Sequence, residues 1–215
     1  EHCCCSTVEE GDVLTGRFYI DKPHLFFIKR YFPELTIIRS QYSPLQADKM
    51  SATCFFRRLC TLIKIESRHK TDGSSAILAT LHSALFALIM RAAIQSCEHT
   101  HGLLSIGANS RLNPAITAIF ANPANDWGVT ELAEKCGMEE TAFVDLFESK
   151  LDATIPNILH DVKLAFAITA LKDLSLTVEA IAGLSGFASI GLFRTVFYSK
   201  LGITPNDWRN KIQGY

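Results

Sequence analysis

No run of eighteen uncharged apolar residues occurs anywhere in the 215 residues, so no segment is expected to span a membrane and no membrane partner is expected. The chain has no basic stretch leading into an apolar one at its start, as a secretory leader has, and no initiator methionine; it opens Glu1-His2-Cys3-Cys4-Cys5. A beginning inside a longer product, in the cytoplasm, is the expectation. Proline is scarce at 7 residues, and with 48% hydrophobic and 20% charged residues the composition excludes a disordered chain. The length suits two small domains that bury their own cores without metal or disulfide staples.

Catalytic signatures are missing as well. The sequence holds no phosphate loop and no nucleophile elbow. The seven cysteines are an odd number, scattered, and read as reduced thiols, with most of Cys54, Cys60, Cys97 and Cys136 set among apolar neighbours as small core side chains. Cys3, Cys4 and Cys5 are adjacent and cannot all turn toward one ion as a spaced pair can, even with His2 beside them. His99 and His101 could both reach one metal but have no third ligand at a chelating spacing, and His82 on an apolar helical pattern reads as a satisfied core residue. No enzyme, no metal site and no cofactor is expected.

What is there begins with two strand-like stretches, Leu14–Ile20 and Leu35–Ser40, rich in strand formers and too few for a sheet of their own. Two helical patterns follow, Lys49–Arg68 and Ser74–Ser96, with apolar residues at three- and four-residue spacing. In the second of these Ile77, Leu81, Leu85, Leu88 and Ile89 occupy more than one face, which points either to a helix inside the monomer or to a homodimer through these N-terminal helices. The polar, aperiodic stretch Glu98–Arg111 is the expected boundary and the expected first site of proteolysis. Beyond it lie short helical patterns at 114–121, 129–135, 140–150, 156–171, 177–185, 190–200 and 205–212, the longest of them, Pro156–Leu171, apolar over a broad face.

Those helices contain a repeat. A shift of 49 matches Val129, Ala133 and Gly137 with Val178, Ala182 and Gly186. A shift of 50 then matches Phe143, Phe147, Ser149, Lys150, Leu151 and Thr154 with Phe193, Phe197, Ser199, Lys200, Leu201 and Thr204. Each copy reads helix, glycine turn, helix, with the two phenylalanines one turn apart on the inner side of the second helix. The repeat alone fits a pair of helix-turn-helix units, whose second helices can enter a DNA major groove, and equally a helical bundle of duplicated hairpins.

The segments "WGVTELAEKCGM", "FVDLFESKL", "TVEAIAGLSGF", "LFRTVF" and "LGITPNDWR", spread from Trp127 to Arg209, resemble the paired helix-turn-helix domain of AraC/XylS-type transcription regulators. "LTGRFYI" and residues 66–92 resemble the subgroup whose sensor is a cupin-like barrel followed by helices, here with the last part of the barrel only. The resemblance implies a mainly α fold: an all-α domain of two helix-turn-helix units joined by a long helix at residues 113–215, a linker at 99–112, and a partial cupin-like β segment with two helices at 1–98. It implies a bacterial, sequence-specific DNA-binding regulator with double-stranded DNA and RNA polymerase as partners. A diverged homologue that acts through protein contacts is the alternative.

Charge separates the two copies. Between Asp126 and Asp152 eight acids face only Lys135 and Lys150, a net of −6, whereas Thr177–Lys211 carries Arg194, Lys200, Arg209 and Lys211 against Glu179 and Asp207, a net of +2. DNA contact is therefore expected mainly through the second copy. The residues implied as contacts are Thr141 and Lys150 in the first copy and Ser189, Arg194, Thr195 and Lys200 in the second.

Overall fold

A computed structural model of the chain describes residues 5–7, 14–16, 24–34, 52–68, 71–96 and 101–213. The chain divides into two units, one made of residues 1–20 and 35–98 and the other of residues 21–34 and 99–215. Residues 21–34, expected in the N-terminal domain, thus fold with the C-terminal helices.

In the first unit the described strands are β1 (Cys5–Thr7) and β2 (Leu14–Gly16), paired antiparallel with Ser6 opposite Thr15. A two-stranded ribbon of this length is far short of a barrel, which needs a sheet closed on itself, so the cupin-like segment finds no support. The second expected strand, at 35–40, lies outside the described residues. After α1 (Leu25–Tyr31), which belongs to the other unit, α2 (Ala52–Arg68) and α3 (Ser74–Ser96) pack together as a hairpin. Its inward side chains include Ile63, His82, Leu85 and Ala93. His82 Nδ1 donates to the Leu78 carbonyl at 2.6 Å, as a core histidine must. By length and composition Ser74–Gln95 is apolar enough to cross a membrane, with mean hydropathy 1.8. It is not an unbroken apolar run, because Ser74, Ser75, Thr80, His82, Ser83 and Arg91 interrupt it.

The second unit holds α1 (Leu25–Tyr31), α4 (Leu103–Ala108), α5 (Asn113–Ala121), α6 (Val129–Lys135), α7 (Glu140–Leu151), α8 (Ile155–Ala170), α9 (Val178–Leu184), α10 (Ile190–Leu201) and α11 (Pro205–Gln213). Residues 99–112, expected as a linker, include α4, whose Leu103, Leu104 and Ile106 are buried, as is Leu112. Its apolar side chains have a core to enter, so the stretch folds despite its glycines and its lack of period.

Two cores lie along α8. Ile155, Ile158 and Val162 join Leu132, Phe143, Phe147 and Leu151 of the first copy, together with Phe27 and Tyr31 of α1 and Ile106, Leu112 and Ile119. Leu164, Ile168 and Leu171 join Ile181, Phe193, Phe197 and Trp208 of the second. One helix therefore serves both copies, and each fully buried phenylalanine contributes roughly 1.5–3 kcal/mol.

The repeat recurs in the backbone. Gly137 (φ +61°) and Gly186 (φ +75°) make the sharp turns between the paired helices, a left-handed conformation that glycine adopts without strain. Glu139 and Ser189 then cap α7 and α10, accepting from the N–H of Ala142 and Leu192. Both helices end in a left-handed residue: Gly202 (φ +69°) closes α10 and Asp152 (φ +57°) closes α7. Aspartate is strained there where glycine is not. Asp152→Gly is expected to stabilise the protein by about 1 kcal/mol, seen as a higher urea midpoint at unchanged m-value; a lower midpoint would show that its carboxylate has a stabilising partner.

Candidate nucleic-acid interface

Helix α10 buries Phe193 and Phe197 completely, which turns Arg194, Thr195 and Tyr198 outward. Ser189 is spent as the N-cap, and Thr195 donates its hydroxyl to the Gly191 carbonyl one turn back at 3.0 Å. Arg194 Nη2 lies 3.0 Å from Glu179 of α9, with both side chains more than half exposed. An ion pair in so much water is worth at most about 1 kcal/mol, so exchanging Glu179 for another anion costs little. Tyr198, 58% exposed, stands one turn beyond Arg194 on the same face. Sequence reasoning missed it, although its spacing of four from Arg194, offset from the two inward phenylalanines, was the available signal.

Lys200 does not share that face. Its Nζ lies 2.7 Å from Oδ1 of Asp161, an ion pair whose direction falls outside hydrogen-bond geometry. Arg209 also points inward: Nη1 donates to the Leu176 carbonyl at 2.7 Å. Three of the four cations behind the +2 of the second copy are thus already engaged within the fold, two of them in ion pairs.

The first copy presents α7, and its acids prove to be largely structural. Glu139 caps the helix; the Thr141 hydroxyl at 2.8 Å, followed by the Ala142 N–H, holds its carboxyl below the ordinary value, so it stays ionised beside the helix N-terminus. Glu140 accepts from the Thr130 hydroxyl at 2.8 Å, and Glu148 accepts from the Ile155 N–H at the start of α8. Asp145 is the exposed carboxylate in the middle of the helix. Thr141, expected at DNA, is exposed but bonded to Glu139. Lys150 is half-buried where the chain turns back: its carbonyl accepts from the Gly102 N–H at 2.8 Å, and His101 Nδ1 donates to the neighbouring Ser149 carbonyl.

Between the two copies, α8 carries two buried charges, Asp161 and Lys163. Lys163 Nζ reaches Asp126 Oδ1 at 3.4 Å, beside a cavity of about 310 Å³ that His160, Phe187 and Leu192 also line. Asp161 is enclosed by three side chains from two helices: Tyr31 donates its hydroxyl at 2.7 Å, Arg30 approaches Oδ2 at 3.9 Å, and Lys200 contacts Oδ1. Burial first, and then the Asp161 carboxylate, push the Tyr31 phenol far above its ordinary pKa, so it remains a donor at any physiological pH. Among the described residues no cluster of three or more metal-ligating side chains occurs. His2, Cys3 and Cys4, and His99 lie outside them, and Cys60 and Cys136 are half-buried free thiols whose burial raises their pKa.

Two paired helices around a glycine turn, repeated on either side of one spine helix, define a helix-turn-helix domain. Residues 132–211 match the protein family described as helix-turn-helix domain. The chain is 30% identical over 154 residues to an uncharacterized HTH-type transcriptional regulator of Haemophilus influenzae, covering 72% of this chain and 52% of that protein. It is 25% identical over 203 residues to the HTH-type transcriptional regulator AlkR of Acinetobacter baylyi, covering 94% and 64%. It is 26% identical over 159 residues to the RCS-specific HTH-type transcriptional activator RclR of Escherichia coli, covering 74% and 56%. The chain thus spans between about half and two thirds of the length of these relatives.

Proposed function

We propose that the chain is a sequence-specific, DNA-binding transcription regulator of the AraC/XylS type that meets double-stranded DNA mainly through α10. The observation that carries this reading is the outward face of α10, where Arg194, Thr195 and Tyr198 stand opposite the buried Phe193 and Phe197 on the second helix of a helix-turn-helix unit. The transcriptional regulators among the relatives support it. On this reading RNA polymerase is a further partner, the location is cytoplasmic, and the first unit is the regulatory part. The hairpin of α2 and α3 exposes Phe55, Leu62, Ile65, Ile77 and Phe86, which supports a homodimer through these helices.

The acidic first copy favours a second reading, a diverged homologue that works by protein contact, and one titration separates the two. If α10 meets DNA, Arg194→Ala is expected to weaken duplex binding by about 1–3 kcal/mol when Arg194 reads a base, or to lower the salt slope by about one when it meets phosphate. Glu140→Arg with Asp145→Arg is expected to strengthen binding to duplexes of any sequence, an effect that fades as salt rises. Should neither change alter affinity, these helices do not face DNA and the protein-contact reading takes over.

A further inference from the structure

Asp161 is completely buried, so it needs a cation beside it at all times, and the fold supplies two on different helices. Lys200 belongs to α10, the helix on which the DNA-binding reading rests, and this inference rests on that reading. Arg30 belongs to α1, together with Tyr31, whose hydroxyl occupies the same Oδ2 that Arg30 approaches. The two sides of the carboxylate are thus served from two elements: Oδ2 by α1, Oδ1 by α10. Lys200 retains 26% exposure of its side chain, enough for its amine to swing outward.

We propose that Arg30 and Tyr31 are positioning residues for DNA binding: by sharing the charge of Asp161, they release Lys200 from that carboxylate to a DNA phosphate. With α1 docked, a departing Lys200 leaves Asp161 hydrogen-bonded and next to a guanidinium. With α1 withdrawn, Lys200 is the remaining cation, and its departure would strand a buried charge. Docking of α1 therefore decides whether the C-terminal end of α10 offers a free cation. Residues 21–34 are suited to report on the first unit, because at both ends they continue into its chain segments, 1–20 and 35–98.

The test uses the full chain and a long duplex of mixed sequence, with affinity measured as a function of salt. Lys200→Gln is expected to lower the salt slope by about 0.9, the loss of one phosphate contact. Arg30→Gln is expected to lower it by the same amount, and the double variant by no more than either single, because both remove one contact. Tyr31→Phe, which keeps the buried ring and deletes only the hydroxyl, should lower it in the same direction. An unchanged slope for Arg30→Gln, or a double variant that loses twice the single amount, overturns the inference; the second result would mean that Arg30 touches DNA itself. Acetylation of the free protein reads the same exchange without DNA: the Lys200 amine should become less reactive in Arg30→Gln and in Tyr31→Phe while Lys150 is unaffected, and equal Lys200 reactivity overturns the inference. A wild-type chain that binds no duplex overturns the DNA-binding reading instead, and the labelling result distinguishes that failure from failure of the charge sharing.

Discussion

Gly186→Ala is expected to destabilise the helical domain by about 2–5 kcal/mol, whereas Gly137→Ala, at the equivalent turn of the first copy, is expected to cost about 1–2 kcal/mol. Both glycines have positive φ, so alanine meets the same left-handed strain at each. The difference lies in the surroundings. A β-carbon on Gly186 would fall inside the contact radius of the Ala124 carbonyl, which is backbone and cannot rotate away; on Gly137 it would meet open space. Urea unfolding of the two variants checks this directly, and equal midpoints would show that the segment around Ala124 yields without penalty.

The second large effect is expected at the buried carboxylate. Arg30→Gln and Lys200→Gln should each be mild, about 1 kcal/mol, because the remaining cation still neutralises Asp161. Together they should destabilise by about 3–5 kcal/mol, since Asp161, with no exposed surface, would then keep only the Tyr31 hydroxyl. The excess over the sum of the singles is the quantity to measure in a double-mutant cycle. Additive values would mean that water reaches Asp161, and that the two cations act independently.

The helices of the repeat were legible because their cores are local. Phe143 with Phe147, and Phe193 with Phe197, announce an inward stripe at a spacing of four, and Val129–Lys135 and Ser74–Ser96 have the very ends expected from the sequence. Helix α1 was not legible. Its seven residues, "LFFIKRY", are as suited to a strand as to a helix, and what makes them helical is that Phe27 and Tyr31 enter a core built from residues between Leu103 and Val162, far along the chain. Helix α4 went unread for the same reason, since its burial comes from distant partners.

The expected contact residues divide along a similar line. Arg194 is exposed at the end of a short-range pattern. The inward turn of Lys200 could not be foreseen, because it depends on Asp161, and the local sequence of α8 shows only an acid between histidine and valine. In the first copy Glu139 and Glu148 cap helix ends and Glu140 receives the Thr130 hydroxyl, roles that a count of net charge does not register. Counting acids in a sequence does not distinguish a repelling surface from a set of helix caps.

The assignment of residues 21–34 to the C-terminal unit has a consequence for anyone who would divide this protein. The backbone passes between the two units three times, near residues 20, 34 and 98, so neither unit is a single continuous segment of the gene. A fragment that starts at His99 would contain the whole repeat yet leave unfilled the places of Phe27 and Tyr31, and would deprive Asp161 of its hydroxyl donor. A version of the helical domain that keeps these contacts is therefore made of two pieces of chain, and recovering it in isolation calls for grafting residues 21–34 ahead of residue 99 through a new connection.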